Sequence, residues 1–292
     1  MLSDHVRILN FDDSVVRQSA FLAPFATSTV DLTGMGPAAR LWASRAQIDV
    51  IRASLDPACR SYITLLGSGD YHYVSSLLVE QFEEPLTLVV FDHHPDWDML
   101  PPRYGCGAWI NRVVEQNSVH QVVLVGNASK DLTFPSIMTG NLRSVRAKRV
   151  LMLPYEVPAR QIWPFANIPW HELRDDPHTA FSNVIDRLSC RRVYVSIDKD
   201  CLTASCALTN WEEGRLTLEL LLSLLRTLKQ KCEIVGLDIA GDYSPVTIPS
   251  GWKSWCSTLD HPKEFSARGR PLAEITQVNG RTNRRIIEFL NS

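Results

Sequence analysis

The 292-residue sequence predicts an α/β protein built on a parallel sheet with helices on both faces. Three observations lead there. Short β-rich runs recur along the chain, and most are followed by a stretch of helical periodicity, the alternation that builds a parallel sheet through right-handed crossovers. Several runs are apolar at successive positions, as in Leu86-Thr-Leu-Val-Val-Phe and Arg192-Val-Tyr-Val-Ser-Ile, which suits strands covered on two sides. No repeat, low-complexity tract or composition shift divides the chain, so a single domain over 1–292 is expected.

In chain order, Val6–Phe11 is the first predicted strand. Tyr62–Gly67 follows and leads into a predicted helix, Val74–Phe82. The strand Leu86–Asp92 precedes the helix Ala108–Gln116, and the strands Gln121–Gly126 and Arg149–Leu153 come next. The helix Ala180–Leu188 leads to the strand Arg192–Asp198, and the helix Leu216–Lys231 to the strand Ile234–Ile239. A last helix, Thr282–Leu290, closes the series. In sheets of this kind ligands bind just beyond the carboxyl ends of the strands, so the residues that follow each apolar run are the ones to examine.

Composition excludes several classes. With 45% hydrophobic residues and 21% charged ones the chain can bury a large core, which argues against disorder. A net charge of −2 gives neither a nucleic-acid footprint nor a polybasic membrane patch. The most apolar stretches, such as Leu220–Leu225, fall far short of the roughly 20 residues of a membrane span. The first residues, Met1 to Arg7, lack an apolar signal core. Seven cysteines without CxxC spacing read as reduced thiols. A cytoplasmic protein is expected, acting on a small molecule, with a homo-oligomer left open.

Three blocks carry chemistry. Directly after Leu86–Phe91 comes Asp92-His93-His94-Pro95-Asp96-Trp97-Asp98, in which five of seven residues can ligate a metal. Buried charges of this density are paired, neutralised or metal-bound, and the spacing Asp92-x-His94-x-Asp96 lets alternate side chains share one side of an extended segment. A solvated acidic loop with capping aspartates is the plainer alternative. The second block, Ser196-Ile197-Asp198-Lys199-Asp200, again places two carboxylates on one face of a strand end, where a helix cap or an ion pair would also serve. The third, Gly67-Ser68-Gly69-Asp70-Tyr71-His72, has glycines for a tight turn that would lift Asp70 or His72 towards the same cavity. An oxygen-rich set with few nitrogens favours Mn²⁺, then Mg²⁺ or Fe²⁺, over a thiolate-type Zn²⁺ site.

In this order the blocks resemble the metal motifs of the ureohydrolase (arginase–agmatinase) family: a Gly-Gly-Asp-His turn, an Asp-x-His-x-Asp strand end and a Ser-x-Asp-x-Asp strand end. The likeness runs from about Tyr62 to Pro245. It includes Trp211-Glu-Glu-Gly-Arg-Leu-Thr, similar to a family segment that leads into a helix, and Val235-Gly-Leu-Asp-Ile, similar to the strand after it. The resemblance implies a three-layer α/β/α sandwich around a mainly parallel sheet of about eight strands. It also implies two Mn²⁺ ions held by His72, Asp92, His94, Asp96, Asp198 and Asp200, and attack by a metal-bridged hydroxide on a guanidino or amidino carbon.

The sequence also departs from that pattern. Its first motif reads Gly-Asp-Tyr-His, and Thr203-Ala204 stand where the family has Asp-Pro. The family's proton-shuttling His aligns with Cys106, either a proton carrier or a small buried residue. Asp242 is the carboxylate nearest to the family's substrate-binding Glu, and either binds a cationic group or caps a turn. Tyr71, Tyr73, Trp97 and Trp109 flank the motifs, so Tyr71 and Trp97 are expected to line a substrate pocket, with core packing as the alternative. A divergent C–N hydrolase is the leading expectation. The alternatives are a metal-dependent deacylase of the same fold and a non-catalytic protein that retains a metal.

Overall fold

Strands that are apolar on both faces must lie in the middle of the molecule, and the chain folds accordingly. A computed structural model of the chain describes residues 2–292 apart from 101, 157–170, 250 and 263–264. Its strands are β1 (Val6–Asn10), β2 (Thr27–Asp31), β3 (Ile63–Gly67), β4 (Leu86–Phe91), β5 (Val119–Val125), β6 (Val150–Leu153), β7 (Arg192–Asp198) and β8 (Glu233–Ala240). They form one sheet in the order β2-β1-β3-β8-β7-β4-β5-β6, and each neighbouring pair is parallel.

Alternation along each strand divides the interior into two cores. Leu86, Leu88 and Val90 pack with Leu77, Ile110 and Val113 on one face. Val89 and Phe91, with Val195 and Ile197 beside them, pack with Phe181, Leu221 and Ile286 on the other. The result is a three-layer α/β/α sandwich, as expected.

The seven expected strands all form. β2 was not anticipated: its sequence, Thr-Ser-Thr-Val-Asp, is exposed at four of five positions, because an edge strand with one neighbour has little apolar surface to bury. Helix ends shift by local capping. Thr217 accepts from the Leu220 amide and starts the Leu218–Lys231 helix, and Asp176 caps the Pro177–Asp186 helix. The expected Val74–Phe82 helix is a 3₁₀ turn, Gly69–Val74, followed by a short helix, Ser75–Val79. Thr282–Leu290 is the last part of a longer helix, Leu272–Asn291.

The topology fixes where a site can form. From β3 the sheet extends outwards through β1 and β2, and from β4 through β5 and β6, with β8 and β7 between the two halves. The carboxyl ends of β3, β8, β7 and β4 therefore border a crevice of the kind that binds ligands in doubly wound sheets.

Candidate metal centre

All three sequence blocks reach that crevice. Asp92 is the first residue after β4, and its backbone is anchored from both sides: its amide donates to the Val125 carbonyl (3.1 Å) and its carbonyl accepts from Asn127 Nδ2 (3.0 Å). Asp198 ends β7, and Asp200 sits in the 3₁₀ turn that follows. His72 comes from the 3₁₀ turn after β3. Gly69 lets that turn approach closely, since a Cβ there would lie 2.7 Å from Asp198 Oδ2.

The side chains converge. His72 Nδ1 lies 3.1 Å from Asp92 Oδ2, 3.3 Å from Asp96 Oδ2 and 3.5 Å from Asp198 Oδ2. His94 Nδ1 lies 2.9 Å from Asp200 Oδ2 and 3.9 Å from Asp92 Oδ1. Two groups of ligand atoms emerge, each spanning no more than 4.8 Å: His72, Asp92 and Asp96 form one, Asp92, His94 and Asp200 the other. Asp92 belongs to both.

Hydrogen bonds orient these side chains. Ser196 Oγ donates to Asp238 Oδ1 (2.7 Å) and lies 2.8 Å from His72 Nε2. With the hydroxyl proton committed to Asp238, His72 donates from Nε2, and its Nδ1 is aimed at the carboxylates. Ligating histidines are commonly held in this way. Trp109 Nε1 donates to Asp96 Oδ2 (2.6 Å), and Asp96 adopts a left-handed backbone with φ 47°, a conformation that non-glycine residues rarely take. The His93 amide donates to Asp200 Oδ1 (3.0 Å), and the His94 amide donates to Asp92 Oδ1 (2.7 Å).

Electrostatics argue for a cation here. Burial, reinforced by the charges of Asp96 and Asp200, holds the Asp92 carboxyl well above the usual carboxylate range. Burial and the neighbouring Asp200 push Asp198 up to about 7. Burial opposes a charge on His72 as well, but the adjoining Asp92 and Asp96 carboxylates hold its imidazole well above its ordinary value. His72 Nδ1 and Asp92 Oδ2 are buried and make no hydrogen bond. These two ligand atoms, in a set of four carboxylates and two imidazoles, fit one or two hard divalent ions.

Other expected residues lie elsewhere. Asp70, the alternative to His72, faces away and pairs with Arg40 (2.6 Å). Burial would raise it, but the Arg40 charge brings it down to about 2. Tyr71 is buried against Phe11, with ring centroids 4.5 Å apart, and donates to the Gly36 carbonyl (3.1 Å). It does not border the cavity, so its expected place in a substrate pocket is corrected: the 3₁₀ turn sends successive side chains to different sides, and only one of Tyr71 and His72 can face inward. Asp242 is corrected too. It is fully buried, bonded by Lys199 Nζ (2.7 Å), Gln18 Nε2 (2.6 Å) and Asn283 Nδ2 (3.2 Å), and does not border the cavity. Cys106 and Trp97 do border it, although Trp97 is also core, packed on Gly140. None of the seven cysteines forms a disulfide.

The cavity measures about 200 Å³. Sequence reasoning missed Glu212, whose Oε2 lies 3.3 Å from His94 Nε2; Trp211 and Glu212 both line the cavity. In the sequence their segment resembles only the approach to a helix, and no local periodicity marks a loop side chain that folds back over a strand end.

The Asp238 relay is testable. Changing Asp238 to Asn should weaken Mn²⁺ binding about 10–100-fold through misorientation of His72, measured by calorimetry. Unchanged affinity would show that the Ser196–Asp238 pair does not set the imidazole.

The family model described as the Arginase family matches residues 62–249 of this chain. An uncharacterized protein of Thermotoga maritima is 27% identical over 191 residues, 65% of this chain and 61% of its own length; the chain thus spans less than two thirds of that relative. Among solved structures, arginase from Medicago truncatula is 16% identical with a TM-score of 0.55, covering 98% of this chain and 86% of its own. Agmatine ureohydrolase of Thermoplasma volcanium is 14% identical with a TM-score of 0.54, covering 98% and 92%. Formimidoylglutamase from Bacillus subtilis is 13% identical with a TM-score of 0.53, covering 95% and 86%. At these identities the structural likeness concerns the fold.

Proposed function

Because this chain belongs to the arginase family, we propose that it is a metal-dependent hydrolase of a non-peptide C–N bond in a guanidino- or amidino-type compound. The observation that supports it best is the pair of ligand groups sharing Asp92 at the carboxyl edge of the sheet. His72, Asp92, Asp96 and Asp198 would hold one ion, and Asp92, His94, Asp198 and Asp200 the other, with Mn²⁺ preferred by the oxygen-rich donors. Ions bound there would supply an acidified water and Lewis acidity for the charge that develops at the attacked carbon.

The chain's own residues would do the rest. Asp98, Asp131 and Glu212 line the cavity beyond the candidate ligands, where Lys130 is the one cationic side chain among the described lining residues, and this excess of negative charge favours a cationic substrate over an anionic one. Cys106 also lines the cavity and would pass a proton to the departing amine. Asp242 takes no part in binding, because its oxygens are engaged below the site.

Elemental analysis of protein purified with Mn²⁺, followed by a guanidine, amidine and amide screen that detects urea or ammonia, tests the reading. Two ions per chain and release from a guanidino or amidino compound are expected. One Zn²⁺ with no response to Mn²⁺ would overturn it. The engagement of Asp242 favours a second reading, a binding protein that keeps its metal, for which bound metal without turnover would be the sign.

Among the described residues no helix is long and apolar enough to cross a membrane.

A further inference from the structure

A second concavity of about 570 Å³ opens beside the metal cavity and shares Asp98, Cys106 and Gly107 with it. Its walls are apolar: Leu41, Trp42, Leu100, Pro102 and Trp252 contribute. The Trp42 and Trp252 rings stand 6.2 Å apart at 49°. Trp252 is 72% exposed and Leu100 61%, an unusual cost for side chains of this size unless something covers them.

Charge is as telling as shape. Asp98 is the one charged side chain among the described residues that line the groove. Nearby Lys253 is occupied: its ammonium donates to the Ala38 and Trp42 carbonyls and lies 4.8 Å over the Trp42 ring. A substrate carboxylate in the groove would therefore meet apolar walls and a like charge, and no cationic side chain among the described residues lines the groove to receive it. The metal cavity alone, at about 200 Å³, is below the roughly 300–1,000 Å³ of ordinary ligand pockets; joined to the groove, it reaches that range.

We propose that this groove receives the apolar substituent of the substrate, which is therefore a cationic guanidine or amidine bearing an aromatic or branched aliphatic group and no carboxylate. The inference rests on the hydrolase reading above and names the substrate class for that site. The C–N head enters the metal cavity past Asp98 and Cys106, while the substituent lies between Trp42 and Trp252.

Binding of phenethylguanidine and of arginine to the Mn²⁺-loaded full chain, followed by calorimetry, tests it. Burial of a phenyl ring predicts that phenethylguanidine binds at least about tenfold more tightly. Trp252→Ala should erase most of that preference. Trp255→Ala, equally a surface indole at 62% exposure but outside the groove lining, should retain it. Equal affinity for the two compounds, or a preference that survives both Trp252→Ala and Leu100→Asp, would overturn the assignment. So would a change of solution mass in Trp252→Ala without any ligand preference, since the groove would then be a contact between copies. If the guanidine, amidine and amide screen gives no turnover while the preference still depends on Trp252, the groove assignment stands and the hydrolase reading fails.

Discussion

Asp92→Asn is expected to disable both halves of the centre at once. Asp92 is the residue common to the two ligand groups, whereas His72 and His94 each belong to one. Loss of an outer partner typically costs 10–100-fold in metal affinity, so loss of a shared ligand should cost on the order of 10³-fold. The substitution leaves the strand end in place, because the Val125, Asn127 and His94 contacts to Asp92 include two made through its backbone. Dialysed Asp92→Asn protein should carry less than one ion per chain, while His94→Ala should keep the His72 position filled. Two ions retained by Asp92→Asn would remove Asp92 from its shared role.

The same substitution should have the opposite effect on the metal-free chain. Asp92 is buried and crowded by Asp96 and Asp200, which is why its carboxyl sits so far above the usual range. Removing it relieves repulsion that the His72 imidazole offsets only in part in the metal-free chain. Metal-free Asp92→Asn should therefore melt no lower than the metal-free parent, with about 2–4 °C gained for each kcal/mol relieved. Mn²⁺ should raise the melting temperature of the parent and barely move the variant. Function and stability pull against each other at this position, as they often do where charges are gathered for a ligand.

That crowding is also what made the site legible in the sequence. Asp92, His94, Asp96, Asp198 and Asp200 follow apolar runs whose place in a buried sheet is readable, so their destination follows from strand direction alone. Residues delivered by turns were harder. The Gly69–Val74 segment is a 3₁₀ turn, and its geometry, not its sequence, decided that His72 faces the ligands while Asp70 joins Arg40 and Tyr71 joins Phe11. Glu212 and the Trp42–Trp252 groove depend on loops and distant elements meeting in space, for which no local pattern exists. β2 and the Arg45–Ala53 helix stand out little in the sequence, for different reasons. The strand buries little, and the helix is short, its one local signal being the capping box of Ser44 and Gln47.

Asp242 shows how a strand end can mislead, and it yields the largest expected effect on stability. β8 ends at Ala240, and Gly241 takes φ 87°, the left-handed region that glycine enters freely. A Cβ on Gly241 would lie 2.4 Å from Asp198 Oδ1 and 2.6 Å from the Lys199 amide, so this turn packs directly against the β7 end. Asp242 then turns under the site to meet Lys199, with both side chains fully buried and 2.7 Å apart. Breaking such a pair by removing one partner leaves an uncompensated buried charge and costs about 3–5 kcal/mol, a large share of a stability of about 5–15 kcal/mol. Lys199→Met and Asp242→Asn should each lower the urea midpoint accordingly with an unchanged slope. The double variant should lose less than the sum of the two, because each single change strands the other's partner. Lys199 lies between Asp198 and Asp200, so the pair also fixes the backbone that carries those two carboxylates, and Mn²⁺ affinity should fall alongside stability. A substrate-binding Asp242 would behave otherwise: Asp242→Asn would raise KM while leaving the urea midpoint and metal content unchanged.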